Sequence, residues 1–422
     1  MTAVLLTRPA GAGVQTLDEY DAEGGYEALR KAVQHLTPAD VLGLVRDAEL
    51  RGRGGAAFPT GRKWELAASS AQTPRYVVAN GGEHEPGSRK DRLLVAEYPH
   101  KVLEGTALCA FATGASVAYL YLIEDMVEAL ESARRAIADA HAAGLLGPRI
   151  LGSSFSLEIR LATAPTSYVA GEETAALEVI EGRKAWPRKK PPYPGQSGLF
   201  GKPTTVNNVE TLAHVPAIVR HGPDWFRALG VPGSGGTMLF TLDERVARPG
   251  VYELPLGRTY RHLLYDHGGG PRSGRPVRAI LPALSSSFLT AEHLDLPMTH
   301  QDLRAAGSSL GCGGVSFLEE GECVVERVGG IADFFMKEQC GQCPACRMET
   351  NTLAAILGKV KVGLAGDYAE QIEKIASFTR GKGFCNLIEM AAAPVLSALR
   401  RFPEDFAHHA AQGRCPGSLA GA

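Results

Sequence analysis

Short apolar runs alternate with longer amphipathic segments in residues 76–161, and this pattern predicts strands that alternate with helices. Three runs have the length and apolar character of buried strands: Tyr76–Asn80, Ser116–Ile123 and Leu157–Leu161. Two helices are predicted between them, Lys101–Thr113 and Asp125–Ala143. The second has an apolar face formed by Met126, Leu130, Ala133 and Ile137. The β-α-β-α-β order predicts an α/β fold with a parallel sheet and helices on its faces.

The segments on either side of this region have different patterns. Residues before it are predicted to form helices at Tyr26–His35 and Pro38–Glu49, followed by a glycine-rich loop, Arg51–Gly61. After about residue 229, short strands separated by Gly and Pro turns predict a small α+β domain. Its predicted elements are the strands Gly236–Leu242, Gly250–Glu253 and Ala279–Leu281 and the helix Tyr260–His267.

The last hundred residues have a helical pattern. The predicted helices are Ile331–Lys337, Arg347–Leu357, Tyr368–Thr379 and Leu387–Leu399, and the tail beyond Phe406 is predicted to be disordered. These changes of pattern predict four domains: a helical segment with the glycine-rich loop at 1–61, an α/β domain at 62–228, an α+β domain at 229–322 and a helical domain at 323–422.

Composition excludes several classes of protein. The chain has 422 residues, 45% of them hydrophobic and 21% charged, with a net charge of −2, so no basic surface for nucleic acid is indicated. No apolar run approaches the roughly 20 residues that span a bilayer, so we expect no direct membrane insertion. The N-terminal residues lack the features of a signal peptide. We therefore expect a cytoplasmic protein.

Four cysteines carry the strongest chemical signal. Cys340, Cys343 and Cys346 follow one another at two-residue spacing, and Cys385 lies at the start of a predicted helix. Three close thiolates with a distant fourth are the usual ligand set of a [4Fe–4S] cluster. Zinc, which favours two separated pairs, and unliganded thiols remain as alternatives.

The other four cysteines show no ligand-like spacing. They are Cys109, Cys312, Cys323 and Cys415. Cys109 lies in an apolar stretch and is predicted to be part of the core. Eight cysteines with this distribution fit a reducing compartment better than a disulfide framework.

Two loops have the composition of ligand-binding segments. Arg51–Gly61 contains Gly52 and Gly54, which let backbone amides approach a phosphate or a ring closely, and Lys63 follows with a positive charge. Asn80–Gly87 comes directly after a predicted strand, at the edge where α/β sheets bind ligands. A flexible connection and a solvated acidic turn are the alternative interpretations.

Two further segments combine charged, aromatic and amide side chains. Tyr168–Thr174 leads into a predicted helix, where its glutamates could also act simply by complementing the helix dipole. Arg188–Pro194 is a basic, proline-rich loop that continues to Gly201–Glu210 and its two adjacent asparagines. Lysines can bind a pyrophosphate, an aromatic ring can stack on a base, and amides can pair with ring or phosphate oxygens.

In this order, the segments resemble the NADH-binding flavoprotein (F-type) subunit of respiratory complex I. Related proteins are the diaphorase subunits of NAD-linked hydrogenases and formate dehydrogenases. The resemblance extends from Gly52 to about Phe406 and is most specific at Arg51–Lys63, Tyr168–Thr174, Lys202–Leu212 and the four cysteines. It implies a Rossmann-like FMN/NADH domain, a ubiquitin-like (β-grasp or SLBB-type) α+β domain and a C-terminal helical bundle carrying the [4Fe–4S] cluster.

The resemblance also implies binding residues, matched position by position. The residues implied for FMN are Gly52, Gly54, Lys63, Asn80, Glu83, Tyr168, Gly171, Glu172, Asn207 and Asn208. The residues implied for NADH are Phe58, Glu85, Glu173, Lys190 and Tyr193. No side chain is implied as a catalytic acid, base or nucleophile, because the cofactor carries the chemistry.

The implied activity is that of an NADH dehydrogenase (NADH:quinone oxidoreductase) flavoprotein subunit. Hydride passes from NADH to FMN, and single electrons pass through the cluster to a partner. The implied partners are a thioredoxin-like [2Fe–2S] subunit and a larger iron–sulfur subunit, which would hold the protein at the inner face of the cell membrane. The rival hypothesis is a non-catalytic assembly or scaffold homologue with a degenerate site.

Two departures from the family pattern motivate that rival. Gly82 stands where relatives carry a carboxylate, and the stretch Leu281–Phe288 lacks an expected Gly/Ser-rich sequence. His84 replaces a glycine and could partly compensate by offering the flavin a hydrogen-bond donor or acceptor from the same loop, but the preferred interpretation is an exposed imidazole without a cofactor role. On sequence alone, Gly82→Asp is expected to tighten FMN binding if the backbone leaves room for the side chain.

Overall fold

The computed structural model describes residues 3–364 and 366–415. In these residues the α-helices are α1 Leu17–Ala22, α2 Glu27–His35, α3 Pro38–Asp47, α4 Thr60–Ala68, α5 Lys90–Glu97, α6 Pro99–Thr113, α7 Val127–Ala142, α8 Glu173–Ile180, α9 Val209–Ala213, α10 Val215–His221, α11 Pro223–Ala228, α12 His300–Ala305, α13 Val324–Glu338, α14 Pro344–Lys361, α15 Tyr368–Thr379, α16 Leu387–Arg401 and α17 Pro403–Gln412. The strands are β1 Tyr76–Gly81, β2 Val117–Ile123, β3 Glu158–Ala164, β4 Thr204–Asn208, β5 Thr237–Leu242, β6 Gly250–Pro255, β7 Val277–Leu281, β8 Leu289–Thr290 and β9 Gly314–Glu319. Short 3-10 turns and a single π-helical turn, His262–His267, lie between some of these elements.

The described residues divide into two compact units. The first comprises 1–84, 88–240 and 251–257, and the second comprises 85–87, 241–250 and 258–422, taken over the parts of these ranges that are described. The four domains expected from the sequence divide the chain more finely than this, and their boundaries stay a prediction.

The first unit is built on a parallel sheet with the strand order β3-β2-β1-β4. Its central strand β1 contributes Val77, Val78 and Ala79, which are fully buried. Such continuous apolar runs are typical of parallel strands that have helices on both faces. The α/β fold with a parallel sheet is therefore confirmed.

Strand β4 is not predicted by the sequence pattern. Its residues include Thr204, Thr205, Asn207 and Asn208, so it lacks the apolar run that marks the other three strands. It pairs in parallel with β1, which places Asn207 beside Ala79 and Asn208 beside Asn80. The carboxyl ends of β1 and β4 therefore lie side by side.

A buried carboxylate joins the N-terminal helices to the core of the first unit. Glu104 on α6 accepts hydrogen bonds from the Tyr20 hydroxyl (2.5 Å) and from the backbone amides of Tyr26 (2.9 Å) and Leu29 (3.0 Å). Burial raises the pKa of Glu104. The helical character expected for residues 26–49 is confirmed by α2 and α3.

The second unit combines a mixed sheet with a helical bundle. Strands β9, β7 and β8 lie side by side in that order with both pairs antiparallel, and Thr241 and Leu242 at the end of β5 pair in parallel with β9. Strand β9 is not predicted by the sequence pattern. In the bundle, α13 packs against α14 and α16, and α15 packs against α14. The expected helical C-terminal region is confirmed.

The expectation of a disordered tail beyond Phe406 was wrong. Helix α17 continues to Gln412, and Phe406 is completely buried. Asp405, also buried, forms an ion pair with Arg278. Apolar burial and a buried ion pair stabilise this helix. The segment is short and contains two adjacent histidines, so its sequence gave no clear helical signal. Residues 416–422 lie outside the described residues.

Candidate cofactor sites

Three segments predicted to bind FMN meet at the carboxyl ends of β1 and β4. The Asn80 side chain donates a hydrogen bond to the Gly171 carbonyl (3.0 Å) and accepts one from the Gly82 amide (2.9 Å). The Asn208 amide donates to the Asn80 carbonyl (3.3 Å). Ligands of open α/β sheets bind at this edge. The amides thus fix the loop after β1 against the segment that leads into α8.

The absence of side chains lets two of these backbones approach each other. A Cβ on Gly171 would lie 2.6 Å from the Gly82 carbonyl oxygen. A Cβ on Gly82 would lie 3.0 Å from Asn80 Oδ1 and 3.3 Å from Gly171 Cα. Both distances are shorter than ordinary van der Waals contacts. Gly82 is therefore needed for close packing of the loop.

His84 is half-buried, so its interpretation as an exposed imidazole was wrong. Burial lowers the pKa of His84 to about 4, and the ring is therefore neutral near pH 7. Its Nε2 atom is buried and has no hydrogen-bond partner among the described residues. A buried polar atom of this kind fits a site that receives a polar ligand.

Charged residues from three segments form a connected network beside this edge. Lys63 Nζ lies 2.9 Å from Glu173, and Lys190 Nζ lies 2.9 Å from Glu173 and 2.8 Å from Glu172. Lys63 also donates to the Val206 carbonyl of β4 (3.0 Å). The structure therefore brings together two residues predicted for FMN and two predicted for NADH.

The network controls the ionisation of its members. Burial opposes the charge on Glu173, but the ammonium groups of Lys63 and Lys190 lower the pKa of Glu173 to about 2. Burial also opposes the charge on Lys190, but Glu172 and Glu173 raise the pKa of Lys190 above its usual value. Glu173 and Lys190 are partly buried and still charged at neutral pH, so they present oriented charges to a ligand.

The glycine-rich loop has a defined shape. The Gly52 amide donates to the Phe58 carbonyl (3.0 Å), and Arg51 forms an isolated β-bridge with Pro59. A Cβ on Gly54 would lie 3.1 Å from Asn208 Cβ, so this loop also packs closely against the end of β4. The alternative of a flexible connection is therefore not supported.

Two aromatic residues predicted for NADH are on the surface of the first unit. Phe58 is 51% exposed and Tyr193 is 51% exposed. Large exposed rings can stack on a planar base without first breaking buried contacts. Their exposure fits the predicted role.

Glu83 has a structural role in the described residues. Its carboxylate accepts hydrogen bonds from the Ser88 hydroxyl (2.5 Å) and from the amides of Asp91 (3.2 Å) and Arg92 (3.0 Å). The two amides belong to the first turn of α5, so Glu83 stabilises that helix end. Its predicted contact with FMN stays a prediction.

The remaining predicted residues lie in different surroundings. Tyr168 begins the 3-10 turn Tyr168–Gly171 before α8. Glu85 belongs to the second unit and accepts a hydrogen bond from the Ser285 hydroxyl (3.2 Å). Its predicted contact with NADH stays a prediction.

Sequence reasoning missed residues that orient the asparagines. Trp64, fully buried on α4, donates from its indole nitrogen to Asn207 Oδ1 (2.8 Å). Asp91 accepts from the Asn208 amide (2.6 Å). Lys90, which is 1% exposed, lies 2.7 Å from Asp91 and 2.9 Å from Glu210. In the sequence, Lys90 and Asp91 look like an ordinary solvated pair, and no signal marks their burial.

Three of the four predicted cluster cysteines lie where helices of the bundle begin, and Cys340 lies two residues after the end of α13. Cys343 is the N-cap of α14, Cys346 lies in its first turn, and Cys385 lies two residues before α16. Burial and the charges of the other three cysteines raise the pKa of Cys346 to about 12. The backbone amide of Phe384 donates to Cys343 Sγ (3.4 Å). Four thiols that face one another, with an amide directed at one sulfur, fit an iron–sulfur cluster.

Comparisons with known proteins agree with both sites. Residues 45–217 match the family model described as the Nuo51 FMN-binding domain, and residues 326–409 match the NADH-ubiquinone oxidoreductase-F iron–sulfur binding region. An F-type NADH-quinone oxidoreductase subunit of Rhizobium meliloti (strain 1021) is 42% identical over 403 residues, which are 95% of this chain and 96% of that protein. The corresponding protein of Escherichia coli (strain K12) is 42% identical over 92% of this chain and 88% of its own length.

The chain belongs to the family of F-type NADH-quinone oxidoreductase subunits.

A solved structure supports the assignment. This F-type homologue is similar to a chain in the crystal structure of an NAD+-reducing [NiFe]-hydrogenase in the H2-reduced state, with a TM-score of 0.79 and 34% sequence identity. The match covers 98% of this chain and 66% of the hydrogenase chain. The resemblance inferred from the sequence is thereby confirmed.

The cofactors of the family are FMN and a [4Fe–4S] cluster, and this F-type homologue has residues that fit both. The glycines at positions 54, 82 and 171 allow the binding loops to pack closely at the edge of the sheet, and His84 Nε2 is buried there without a hydrogen-bond partner among the described residues. The four thiols of the helical region are the predicted cluster ligands. No helix among the described residues combines the length and apolar character needed to cross a membrane.

The close packing around Gly82 reverses the expectation for Gly82→Asp. An added Cβ would press against Asn80 Oδ1, Gly171 Cα and Tyr121 Cε1 at 3.0–3.3 Å, so the Asp side chain fits only after these neighbours shift by a few tenths of an ångström. Overpacking costs about 1–3 kcal/mol, so FMN retention should weaken roughly tenfold. FMN dissociation followed by flavin fluorescence measures this effect.

A suitable control is Gly330→Asp, because an added Cβ at Gly330 meets no atom within 4 Å. This variant should retain FMN like the parent. Tighter retention by Gly82→Asp would contradict the packing argument and would show that the loop can move to accept a carboxylate.

Proposed function

We propose that this chain oxidises NADH and delivers the electrons, one at a time, to a partner iron–sulfur protein. FMN, when bound, supplies the two-electron acceptor for hydride, and the [4Fe–4S] cluster supplies the one-electron carrier. The observation that carries this proposal is the meeting of Asn80, Asn208 and Gly171 at the end of β1 and β4, beside the charged network of Lys63 and Lys190.

In this proposal, the residues of the first unit bind and orient the flavin. Asn80, Asn207 and Asn208 are proposed to contribute from the carboxyl ends of β1 and β4, where amides can pair with ring or phosphate oxygens. Lys63, held between Glu173 and the Val206 carbonyl, supplies a fixed positive charge. Gly52, Gly54, Gly171, Glu83, Tyr168 and Glu172 complete the proposed FMN set.

The nicotinamide nucleotide is proposed to bind through Lys190, Glu173, Glu85, Phe58 and Tyr193. Lys190 is 22% exposed in its side chain, so it can reach a pyrophosphate without leaving its carboxylate partners. The exposed rings of Phe58 and Tyr193 offer stacking surfaces for the base and the nicotinamide. No side chain transfers a proton in this step.

The rival hypothesis of a degenerate scaffold has less support. A site that had lost its ligand would not need to keep four charged groups partly buried, because each costs desolvation energy. Lys63, Glu172, Glu173 and Lys190 nevertheless remain charged and paired. The Gly82 departure is explained by packing rather than by loss of the site.

The partner proposed for the chain is an iron–sulfur protein. A two-electron donor next to a one-electron cluster needs an onward electron acceptor. The cysteine spacing in this sequence accounts for one cluster, so we propose that the acceptor lies on another protein. We propose a thioredoxin-like [2Fe–2S] subunit and a larger iron–sulfur subunit as these partners, in the cytoplasm and at the inner face of the cell membrane. Co-purification of the native complex tests this composition.

Lys190→Ala tests the nucleotide site. Loss of a charge-assisted contact costs about 1–3 kcal/mol, so the KM for NADH should rise roughly tenfold while bound FMN stays near the parent level. The matched control is Lys189→Ala, which removes the neighbouring, exposed lysine and should leave KM unchanged. An unchanged KM in Lys190→Ala, or an equal loss of FMN, would mean that Lys190 acts only in the structure of the loop.

Cys385→Ser tests the electron path out of the flavin. The variant should lose most of its iron and keep FMN, because Cys385 and the flavin residues belong to different units. Reduction of an artificial two-electron acceptor by NADH should continue, while one-electron transfer to the native partner should stop. Iron and flavin analysis with both assays measures this, and equal loss of both cofactors would contradict independent binding.

A further inference from the structure

The second unit contains a group of metal-ligating side chains outside the proposed cluster site. Cys323, His409 and Cys415 each offer one ligand atom, and these atoms all lie within 4.8 Å of one another. Cys323 Sγ is 3.0 Å from His409 Nε2. The spacing of Cys323 and Cys415 in the sequence gave no sign of this, because 92 residues separate them.

Two of the three side chains lie at or in helices, and the third follows the end of one. Cys323 is the N-cap of α13 and accepts a hydrogen bond from the Glu326 amide (3.4 Å). His409 lies in the last turn of α17 and is 1% exposed. Cys415 follows two residues after Gly413, whose left-handed conformation (φ +60°) ends α17 and turns the chain.

The second nitrogen of the histidine gives an independent indication of a metal site. His409 Nδ1 lies 3.3 Å from the Lys361 carbonyl oxygen. A carbonyl can only accept, so Nδ1 carries the hydrogen and Nε2 keeps its lone pair facing Cys323. Histidine ligands of metals are usually oriented in this way, by a hydrogen bond from the other ring nitrogen to a carbonyl or carboxylate.

The group is distinct from the iron–sulfur site. The family model for the iron–sulfur region matches residues 326–409, so both Cys323 and Cys415 lie outside it. The two cysteines are also not joined by a disulfide. None of these three side chains is among the residues predicted to bind FMN, NADH or the cluster.

We propose that Cys323, His409 and Cys415 bind a zinc ion, with a water molecule in the fourth tetrahedral position. Two thiolates and one imidazole are the ligand types that zinc prefers, and three close ligands suit its tetrahedral geometry. Binding releases one proton from each thiol, so the two sulfurs coordinate as thiolates and no electron is transferred. The ion would fasten the segment after α17 to the first turn of α13.

The site is tested on the full-length protein with its cofactors, purified anaerobically from cells supplied with zinc. Elemental analysis should find about one zinc per chain, and zinc-edge X-ray absorption should show sulfur at about 2.3 Å and nitrogen at about 2.0 Å. Cys323→Ser and Cys415→Ser should each lower the zinc content roughly tenfold, while iron and FMN stay at the parent level.

Two further variants separate this site from the others. Cys312→Ser, a matched thiol loss outside both groups, should keep zinc and iron. Cys385→Ser should lose iron and keep zinc. The proposal is overturned if the parent protein contains almost no zinc, if zinc is unchanged in Cys323→Ser, or if it falls together with iron in Cys385→Ser. A Cys323–Cys415 disulfide in the same preparation, detected by mass spectrometry, would also overturn it.

Discussion

The parallel pairing of β1 with β4 is the constraint on which the flavin site depends. This register places Asn80 beside Asn208 and brings the end of each strand to one edge of the sheet. The amides of the two asparagines then hold the loop after β1 against the turn before α8. Glycines at 54, 82 and 171 permit that approach, because a Cβ at any of them would press on a neighbouring segment. Backbone geometry, more than any single side chain, shapes the site.

Paired charges lie beside the same edge of the sheet. Partly buried charges are costly unless each has a partner, and here two lysines and two glutamates from three segments neutralise one another. A nucleotide can bind by sharing these lysines without creating an unpaired charge. The buried Lys90 forms ion pairs with Asp91 and Glu210. Asp91 in turn accepts a hydrogen bond from the Asn208 amide and so keeps Asn208 oriented. The site is thus prepared before its ligands arrive, which lowers the reorganisation needed for electron transfer.

Apolar periodicity was enough to predict the strands β1, β2 and β3 and most helices, because these elements bury continuous or one-sided apolar surfaces. Strand β4 escaped prediction because Thr and Asn side chains replace its apolar run, and its stability comes from pairing with β1. The same limit applies to contacts between residues far apart in sequence. The cluster cysteines could be recognised by their spacing, whereas Cys323, His409 and Cys415 meet only after α13 and α17 have packed. Burial of His84 likewise depends on the tertiary structure.

Electron transfer from NADH through FMN to the cluster is tested most directly by adding NADH to the anaerobic protein. The reduction is observed by visible absorption and by electron paramagnetic resonance. If electrons follow this path, a small excess of NADH bleaches the flavin band and then produces the signal of a reduced [4Fe–4S] cluster. Dithionite serves as the control that shows how much cluster can be reduced. The path would be contradicted if a protein with full flavin and iron content is reduced by dithionite but is left unchanged by NADH.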